Sequence, residues 1–166
     1  MVSRISIVRK LIFFAAQIAR GFRHTHLRIS GVKIGQNTMI SMGAKIDTHL
    51  GRIEIGDNCH ITYGCVILGH DGAAKQIYGL DDSSERVAGH VVIEDYVFIG
   101  VNSVVLCNVR IGHHSVIGAG SVVRDNIPPY SLAAGNPARV LRRIVSSGGL
   151  AEPGEDAERQ KQLARE

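Results

Sequence analysis

The sequence lacks the features of several protein classes. Its 166 residues include no tryptophan, only 5% aromatic residues and only three cysteines. Because Cys59, Cys65 and Cys107 form no CxxC pair and are odd in number, a disulfide framework or a zinc knuckle is not expected, and a reducing cytoplasm is favoured. The hydrophobic residues, 45% of the chain, are mostly isoleucine, valine and alanine. Aliphatic residues of similar size favour a repeated layer over an irregular globular core.

The first 46 residues contain no acidic residue but eight basic ones, so this end of the chain suits an anionic partner. Its apolar stretch, residues 5–22, is interrupted by Arg9, Lys10, Gln17 and Arg20 and makes a poor transmembrane span. No convincing cleavage site of a secretory signal follows it. We interpret the stretch as an amphipathic helix. Two positions remain open for it: against the end of the following domain, which we favour, or on a membrane surface.

An aliphatic residue returns every six positions through the middle of the chain. Twelve such positions keep one register apart from two interruptions. They are Ile34, Ile40, Ile46, Ile55, Ile61, Ile67, Ile93, Ile99, Val105, Ile111, Ile117 and Val123. Small or apolar residues predominate four places after each of them, and glycine is common in the place directly after.

A six-residue period indicates a short strand followed by a tight corner, because two turns of an α-helix take about seven residues. Alternate side chains of a strand share a face, so each aliphatic residue and the small residue two places before it should point inward. Cys59 and Cys65 are among these small residues. Glycine at the corner permits backbone angles that a side chain would penalise. Three such strands close a triangular coil of about 18 residues, and stacked coils form parallel sheets.

Several motifs together resemble one known family. The hexads, the sequence GHDG at 69–72, the run IGAGSVV at 117–123 and the ending IPPYSLAAGNPARVLRRI at 127–144 resemble the hexapeptide-repeat acyltransferases, in particular those acting on polysaccharides and sugar nucleotides. The resemblance implies an all-β fold, a left-handed parallel β-helix, with a short N-terminal helix and a projecting loop. It also implies a homotrimer with active sites in clefts between neighbouring prisms. Acetyl-CoA would be the acyl donor, and no metal is expected.

The chain is accordingly divided into three parts. Residues 1–29 form the N-terminal helix and connector. Residues 30–144 form the β-helix, with a loop insertion at 72–92. Residues 145–166 are small and polar with mixed charges, and we expect a flexible tail or a short helix outside the core.

His70 matches the catalytic base of the family. His70 lies three places after Ile67, and a side chain at this position of the repeat faces outward. Asp71 then falls in an inward position, where an unpaired carboxylate would be costly to bury, so the chain should leave the regular coil here. The polar, irregular stretch that follows is expected to form an arm that walls the cleft and helps to select the acceptor. An imidazole with a pKa of about 6.5 suits removal of a proton from the attacking hydroxyl or amine.

Acidic residues of the arm are the candidates for contacts with the acceptor: Asp71, Asp81 and Asp82. A second group should orient His70, and its identity stays open among these three residues and Glu85. Asp71 has the alternative role of stabilising the loop.

For the cofactor, the resemblance implies that the pantetheine arm packs along successive coils near the end of the β-helix. Small side chains let it approach the backbone, exposed N–H and C=O groups bond its amides, and basic residues meet its phosphates. The matching residues are Gly118, Ala119, Gly120, Ser121, Gly135, Asn136, Pro137, Ala138 and Arg139, with Arg142 and Arg143 as further cations. For any one glycine, the alternative is that it only forms a corner.

These features predict a cytoplasmic, acetyl-CoA-dependent acetyltransferase acting on a sugar hydroxyl or amine, such as that of a nucleotide sugar or a cell-surface polysaccharide precursor. Membrane contact through the basic N-terminal segment is left open, and no nucleic acid partner is expected. The coil at residues 40–47 replaces the asparagine-rich coil of galactoside-type members, which argues against a galactoside or maltose acceptor. Two other functions compete. One is a non-catalytic structural β-helix. The other is a metal hydratase of the γ-carbonic anhydrase kind, although His113 and His114 are expected to point in different directions.

Overall fold

The protein is described by a computed structural model that covers residues 4–81, 84, 87–144 and 150–153. Helix α1 spans Arg4–Ile29. A triangular prism of short strands follows it, and the strands form three sheets that are parallel along the prism.

Each coil of the prism contributes one strand to each sheet. Sheet I contains β1 (Lys33–Ile34), β4 (Arg52–Ile55), β7 (His90–Ile93) and β10 (Arg110–Ile111). Sheet II contains β2 (Met39–Ile40), β5 (His60–Ile61), β8 (Phe98–Ile99), β11 (Val116–Ile117) and β13 (Ser131–Ala134), extended by the antiparallel strands β14 (Arg139–Ile144) and β15 (Leu150–Pro153). Sheet III contains β3 (Lys45–Ile46), β6 (Val66–Ile67), β9 (Val104–Val105) and β12 (Val122–Val123).

The core consists of the residues that the six-residue period selects. Eleven of the twelve periodic aliphatic residues are buried, and Ile46 is partly buried against the same cluster. The small positions are buried as well, from Thr38 and Ala44 in the first coil to Ser115 and Ser121 in the last. Cys59 and Cys65 occupy two of them, and burial raises the pKa of the Cys59 thiol. The inward-facing prediction is therefore confirmed.

The role assigned to the corner glycines needs a correction. The glycines that directly follow an aliphatic residue do not adopt positive φ; that conformation falls two places later, at residues such as Asn58, Tyr96 and His114. A Cβ on Gly100 would instead stand 2.5 Å from the backbone nitrogen of Ala119 in the next coil. Close stacking of coils, and not backbone freedom, thus requires glycine at this position.

The projecting arm leaves the prism after Gly69 and contains more regular structure than expected. Helix α2 spans Gly72–Tyr78, and the Asp71 carboxylate accepts the N–H of Ala73 at 3.0 Å as a helix N-cap. An antiparallel bridge between His70 and Ala88 closes the arm, and β7 begins at His90, inside the range assigned to the insertion. Asp71 is only half-buried, whereas Val87 is fully buried.

The C-terminal end of α1 packs on the first coil. Leu27 is buried, and the Arg23 guanidinium donates hydrogen bonds to the carbonyls of Met42 and Ala44. Arg28 donates to the carbonyl of Ile34 at 2.9 Å. Among the described residues, no helix combines the length and apolar character needed to cross a membrane.

Candidate active site around His70

His70 lies at the corner where the chain passes from sheet III to sheet I. It follows β6, and β6 pairs in parallel with β3 so that Ile67 lies beside Ile46. Asp47, which directly follows β3, is thereby brought to the same corner one coil earlier. The side chain of His70 is 31% exposed and that of Asp47 is 15% exposed.

The carboxylate of Asp47 holds His70 and its surroundings together. One oxygen, Oδ2, accepts hydrogen bonds from Nδ1 of His70 and from the backbone N–H of Gly69, the latter at 3.1 Å. The other oxygen, Oδ1, accepts the backbone N–H of His49 at 3.1 Å. Three donors from two successive coils therefore converge on one carboxylate.

This environment keeps Asp47 ionised at neutral pH. Partial burial by itself would raise the pKa of Asp47, but the hydrogen bonds from His49, His70 and Gly69 and the nearby His70 ring outweigh it, so the pKa lies below its ordinary value. An ionised carboxylate only accepts hydrogen bonds. Nδ1 of His70 must therefore carry a hydrogen, and Nε2 of the neutral ring is left as the base.

Three glycines bring the backbone of this corner close together. A Cβ on Gly51 would overlap the carbonyl oxygen of Gly69, and one on Gly69 would stand 2.5 Å from the carbonyl oxygen of Leu50. The N–H of Gly89 donates to the carbonyl of Gly69 at 2.9 Å, where the arm returns to the prism. Gly51, Gly69 and Gly89 thus fix the backbone on both sides of His70.

The free edge of the His70 ring faces the arm and a second histidine. A Cβ on Gly72, the first residue of α2, would lie 3.9 Å from Nε2. The ring of His49 is exposed and lies edge-on to that of His70, with the ring centroids 6.3 Å apart. An acceptor at Nε2 would therefore meet the start of α2 on one side.

The acidic residues expected to bind the acceptor occupy different places. Asp71 lies beside His70 but uses one oxygen to cap α2. Asp81 lies beyond α2 and is exposed. Asp82 and Glu85 fall outside the described residues. The carboxylate that contacts Nδ1 of His70 is that of Asp47, which was not among the candidates for the orienting group.

The segments expected to bind the cofactor meet each other but not His70. The N–H of Gly118 donates to the carbonyl of Ala133 and the N–H of Val122 to that of Gly135, which places the two segments side by side. Gly118 to Gly120 form the corner between sheets II and III, whereas His70 lies between sheets III and I. On a single chain, the two parts of the expected site are thus at different corners.

The cofactor candidates differ in exposure. Ala119, Gly120, Gly135 and Asn136 are exposed, and Gly118, Pro137 and Arg139 are intermediate. Ser121 and Ala138 are buried, and the Ser121 hydroxyl links the segments by donating to the carbonyl of Gly118 at 2.7 Å and accepting the N–H of Gly135 at 3.1 Å. The side chains of Ser121 and Ala138 are therefore packed inside the fold and not on its surface. The Arg139 guanidinium donates to Asp125 at 2.9 Å.

A cavity of about 440 Å³ lies away from His70, at the corner between sheets I and II. It is lined by Glu94, which is ion-paired with Arg110, and by Tyr96, His114 and Tyr130. The His114 ring is stacked between the two tyrosines, with centroid distances of 4.6 and 4.9 Å. Nδ1 of His114 lies 3.1 Å from Nδ1 of His113, whereas Nδ1 of His70 is held by the carboxylate of Asp47.

The rings of His113 and His114 are nearly perpendicular, with an interplanar angle of 87°, as expected for side chains that aim differently, although their Nδ1 atoms are only 3.1 Å apart. Within the described ranges, no group of three or more histidine, cysteine, aspartate or glutamate side chains is arranged to hold a metal ion.

Sequence reasoning missed Asp47, although a signal for it was present. The six-residue register is interrupted twice, after Ile46 and after Ile67. Each interruption directly follows the third strand of a coil. Residues at the same phase of successive coils stack on one another, so polar residues in the two interruptions must meet at one corner. Asp47, His49 and His70 are those residues.

Comparisons with known proteins agree with this architecture. Residues 90–125 match the sequence model of the family described as bacterial transferase hexapeptide (six repeats). The bifunctional protein GlmU of Rubrobacter xylanophilus is 35% identical over 119 residues, which cover 68% of this chain and 23% of that protein. The chain therefore spans less than a quarter of the length of this relative.

Two solved structures are similar over most of the chain. The polySia specific acetyltransferase NeuO is 28% identical and gives a TM-score of 0.59, covering 81% of this chain and 62% of its own. A hexapeptide-repeat containing acetyltransferase from Vibrio cholerae O1 biovar eltor, determined in complex with acetyl-CoA, is 26% identical with a TM-score of 0.52, covering 70% of this chain and 72% of its own. The predicted fold, a left-handed parallel β-helix with an N-terminal helix and a projecting loop, is confirmed.

Proposed function

This chain belongs to the hexapeptide-repeat acyltransferases, and we propose that it transfers an acetyl group from acetyl-CoA to a hydroxyl or amine of a sugar, with His70 as the general base. The observation that carries the proposal is the pair formed by Asp47 and His70. A half-exposed imidazole whose Nδ1 is held by an ionised carboxylate is oriented for proton transfer at Nε2.

The proposed reaction needs one base and one acyl donor. Nε2 of His70 removes the proton from the acceptor hydroxyl or amine as its oxygen or nitrogen attacks the thioester carbonyl. The tetrahedral intermediate then collapses, the carbon–sulfur bond breaks, and the CoA sulfur takes the proton from Nε2. Asp47 stabilises the imidazolium that forms between these two transfers, as the carboxylate of a catalytic triad does.

Acetyl-CoA is proposed as the donor because of the segments around Gly118 and Gly135. Exposed small residues such as Ala119 and Gly120 leave the backbone accessible to a thin pantetheine chain. The related acetyltransferase from Vibrio cholerae was determined with acetyl-CoA. A sugar acceptor is proposed from the motifs shared with polysaccharide acyltransferases and from the likeness to a polySia specific enzyme.

A homotrimer is proposed because it would join the two halves of the site. His70 and the Gly118 segment lie at different corners of one prism, so a cleft between neighbouring prisms would bring one copy's His70 to the next copy's cofactor segment. The outer face of sheet II is suited to such an interface. It presents Met39, His60, Phe98, Val116 and Leu132 in one register, and Met39 and Phe98 are exposed there. The outer face of sheet III carries three valines in the row Lys45, Val66, Val104 and Val122, whereas that of sheet I presents Lys33, Glu54, Val92 and Arg110.

The proposed location is the cytoplasm, where the three unpaired cysteines would stay reduced. The arm that contains α2 is proposed to wall the acceptor side of the cleft, with Asp71 and Asp81 as its described acidic residues.

The proposal is tested by measuring CoA release from acetyl-CoA by the purified protein with a panel of nucleotide sugars and oligosaccharides. We expect turnover with at least one sugar, and His70→Ala should lower kcat/KM by about 10²- to 10⁴-fold. His26→Ala, which removes an exposed histidine of α1, is the matched control and should retain activity. Turnover that His70→Ala leaves unchanged would refute the role of His70. Failure of the wild type to bind acetyl-CoA in calorimetry would favour a structural β-helix.

A further inference from the structure

We infer that α1 binds the surface of an anionic lipid bilayer through an apolar stripe on the side of the helix that faces away from the prism. Among the α1 side chains that the structure describes, four large apolar ones are exposed: Phe14 (65%), Ile18 (47%), Phe22 (74%) and Ile29 (81%). Isolated exposed apolar residues are common on protein surfaces, but a cluster of them marks an interaction site. This inference is independent of the acyl transfer proposed above.

The four side chains form one stripe along the helix. At about 100° per residue, Phe14, Ile18, Phe22 and Ile29 fall within an arc of about 80°, which also includes the exposed Thr25. Large apolar residues that recur at intervals of four and seven are the pattern of a helix that places one face against an apolar phase. At about 1.5 Å per residue, the stripe runs for roughly 22 Å.

The prism does not cover this stripe, because the helix packs on the prism with its opposite side. Leu27, which is buried, points about 175° away from the centre of the stripe. Arg23, which reaches the carbonyls of Met42 and Ala44, points about 135° away. Phe14, Ile18 and Phe22 also precede these contacts in the helix. The stripe therefore remains open in the folded chain.

The charge of this part of the chain favours a bilayer over a second protein copy. Residues 1–29, which include α1, contain six basic and no acidic residues, and among them Arg28, near the edge of the stripe, is exposed. Pairing of two such helices would bring like charges together, whereas an anionic headgroup layer neutralises them. A basic helix with an exposed Phe and Ile face is the pattern of a helix that lies in the membrane interface. Binding there would anchor the prism beside the membrane.

The experiment is co-sedimentation of the full chain with vesicles of phosphatidylcholine alone and of equal parts phosphatidylcholine and phosphatidylglycerol. We expect roughly tenfold stronger binding to the anionic vesicles, weakened by high salt. Phe22→Glu should weaken it about tenfold or more. Ile77→Glu is the matched control, since Ile77 of α2 is 72% exposed and the change in charge is the same; it should bind as the wild type does.

Three results would overturn the inference. The first is equal or absent binding to both vesicle types. The second is equal binding by Phe22→Glu and the wild type, provided that circular dichroism shows equal helix content. The third is a drop in molar mass caused by Phe22→Glu without lipid, which would assign the stripe to contacts between copies of this chain.

Discussion

At the scale of single residues, the central feature is a carboxylate that orients an imidazole. Asp47 gathers two backbone N–H groups and Nδ1 of His70, so its charge is stabilised by three hydrogen bonds despite its partial burial. The same contacts fix the tautomer of His70. In the proposed reaction, Asp47 is thus the positioning residue, and His70 is the group that meets the acceptor.

We predict that Asp47→Asn lowers kcat/KM for acetyl transfer by at least about a hundredfold. An amide can donate to Nδ1, which would place the hydrogen on Nε2 and remove the base. The KM for acetyl-CoA should not change, since Asp47 acts through His70 and is not among the cofactor residues. A loss in Asp47→Asn that is accompanied by a raised KM for acetyl-CoA would indicate a purely structural role.

Asp47 also predicts a pH dependence of stability. Its pKa is lowered in the folded protein, so its contribution is present above the ordinary carboxyl pKa of about 3.9 and is lost as the pH falls through the lowered folded value. The difference in Tm between the wild type and Asp47→Asn should therefore be full at neutral pH and should begin to narrow only as the pH falls below about 4. Thermal melts from pH 7 to pH 3 measure it, and a gap that widens on acidification would contradict the assignment.

At the scale of elements, backbone conformation and the space between coils limit which residues can occupy the corners of the prism. Gly51 and Gly120 both have positive φ, at 76° and 68°. They differ in space: a Cβ on Gly51 would overlap the carbonyl oxygen of Gly69 and stand 2.5 Å from that of Gly89, whereas a Cβ on Gly120 would meet nothing within 4 Å. The two positions therefore separate backbone strain from steric overlap.

We predict that Gly51→Ala is much more destabilising than Gly120→Ala. In both variants an alanine must adopt a left-handed φ, which lowers the free energy of unfolding by about 1–2 kcal/mol. Gly51→Ala must also displace a backbone carbonyl of the next coil, which should add about 2 kcal/mol or more. Thermal melting at one protein concentration should give a Tm at least about 4 °C lower for Gly51→Ala than for Gly120→Ala. Equal melting temperatures would contradict this prediction, because they would show that the backbone around His70 shifts to admit the added Cβ at no cost in stability.

At the scale of the whole molecule, we predict a trimer that is required for activity. Light scattering should give a mass of about 54 kDa, three times the 17.9 kDa of the chain. Phe98→Glu places a charge on the outer face of sheet II, where Phe98 is 39% exposed and contacts His60. It should give a 17.9 kDa species without acetyl transfer, although Asp47 and His70 are untouched. Phe22→Glu, outside this face, should remain trimeric. A monomeric variant with full activity would show that one chain completes the site.

The repeat determines most of the fold from the sequence alone. A side chain that recurs every six residues must take the same place in every coil, so the buried positions from Ile34 to Val123 follow from periodicity. The arm was also foreseeable, because Asp71 does not fit an inward position. Its helix was not, since α2 depends on the Asp71 cap and on a path that closes at Ala88.

The sequence by itself determined the period and the core, because these depend on residue type and spacing along the chain, whereas it predicts His70 as the base through the family resemblance. Only the tertiary structure decided what His70 contacts. Asp47 is 23 residues away and reaches His70 because β3 and β6 stack in register, a contact that local pattern does not encode. Likewise, the sequence showed an apolar, basic first helix, but only its packing through Leu27 and Arg23 decided which of its faces stays open.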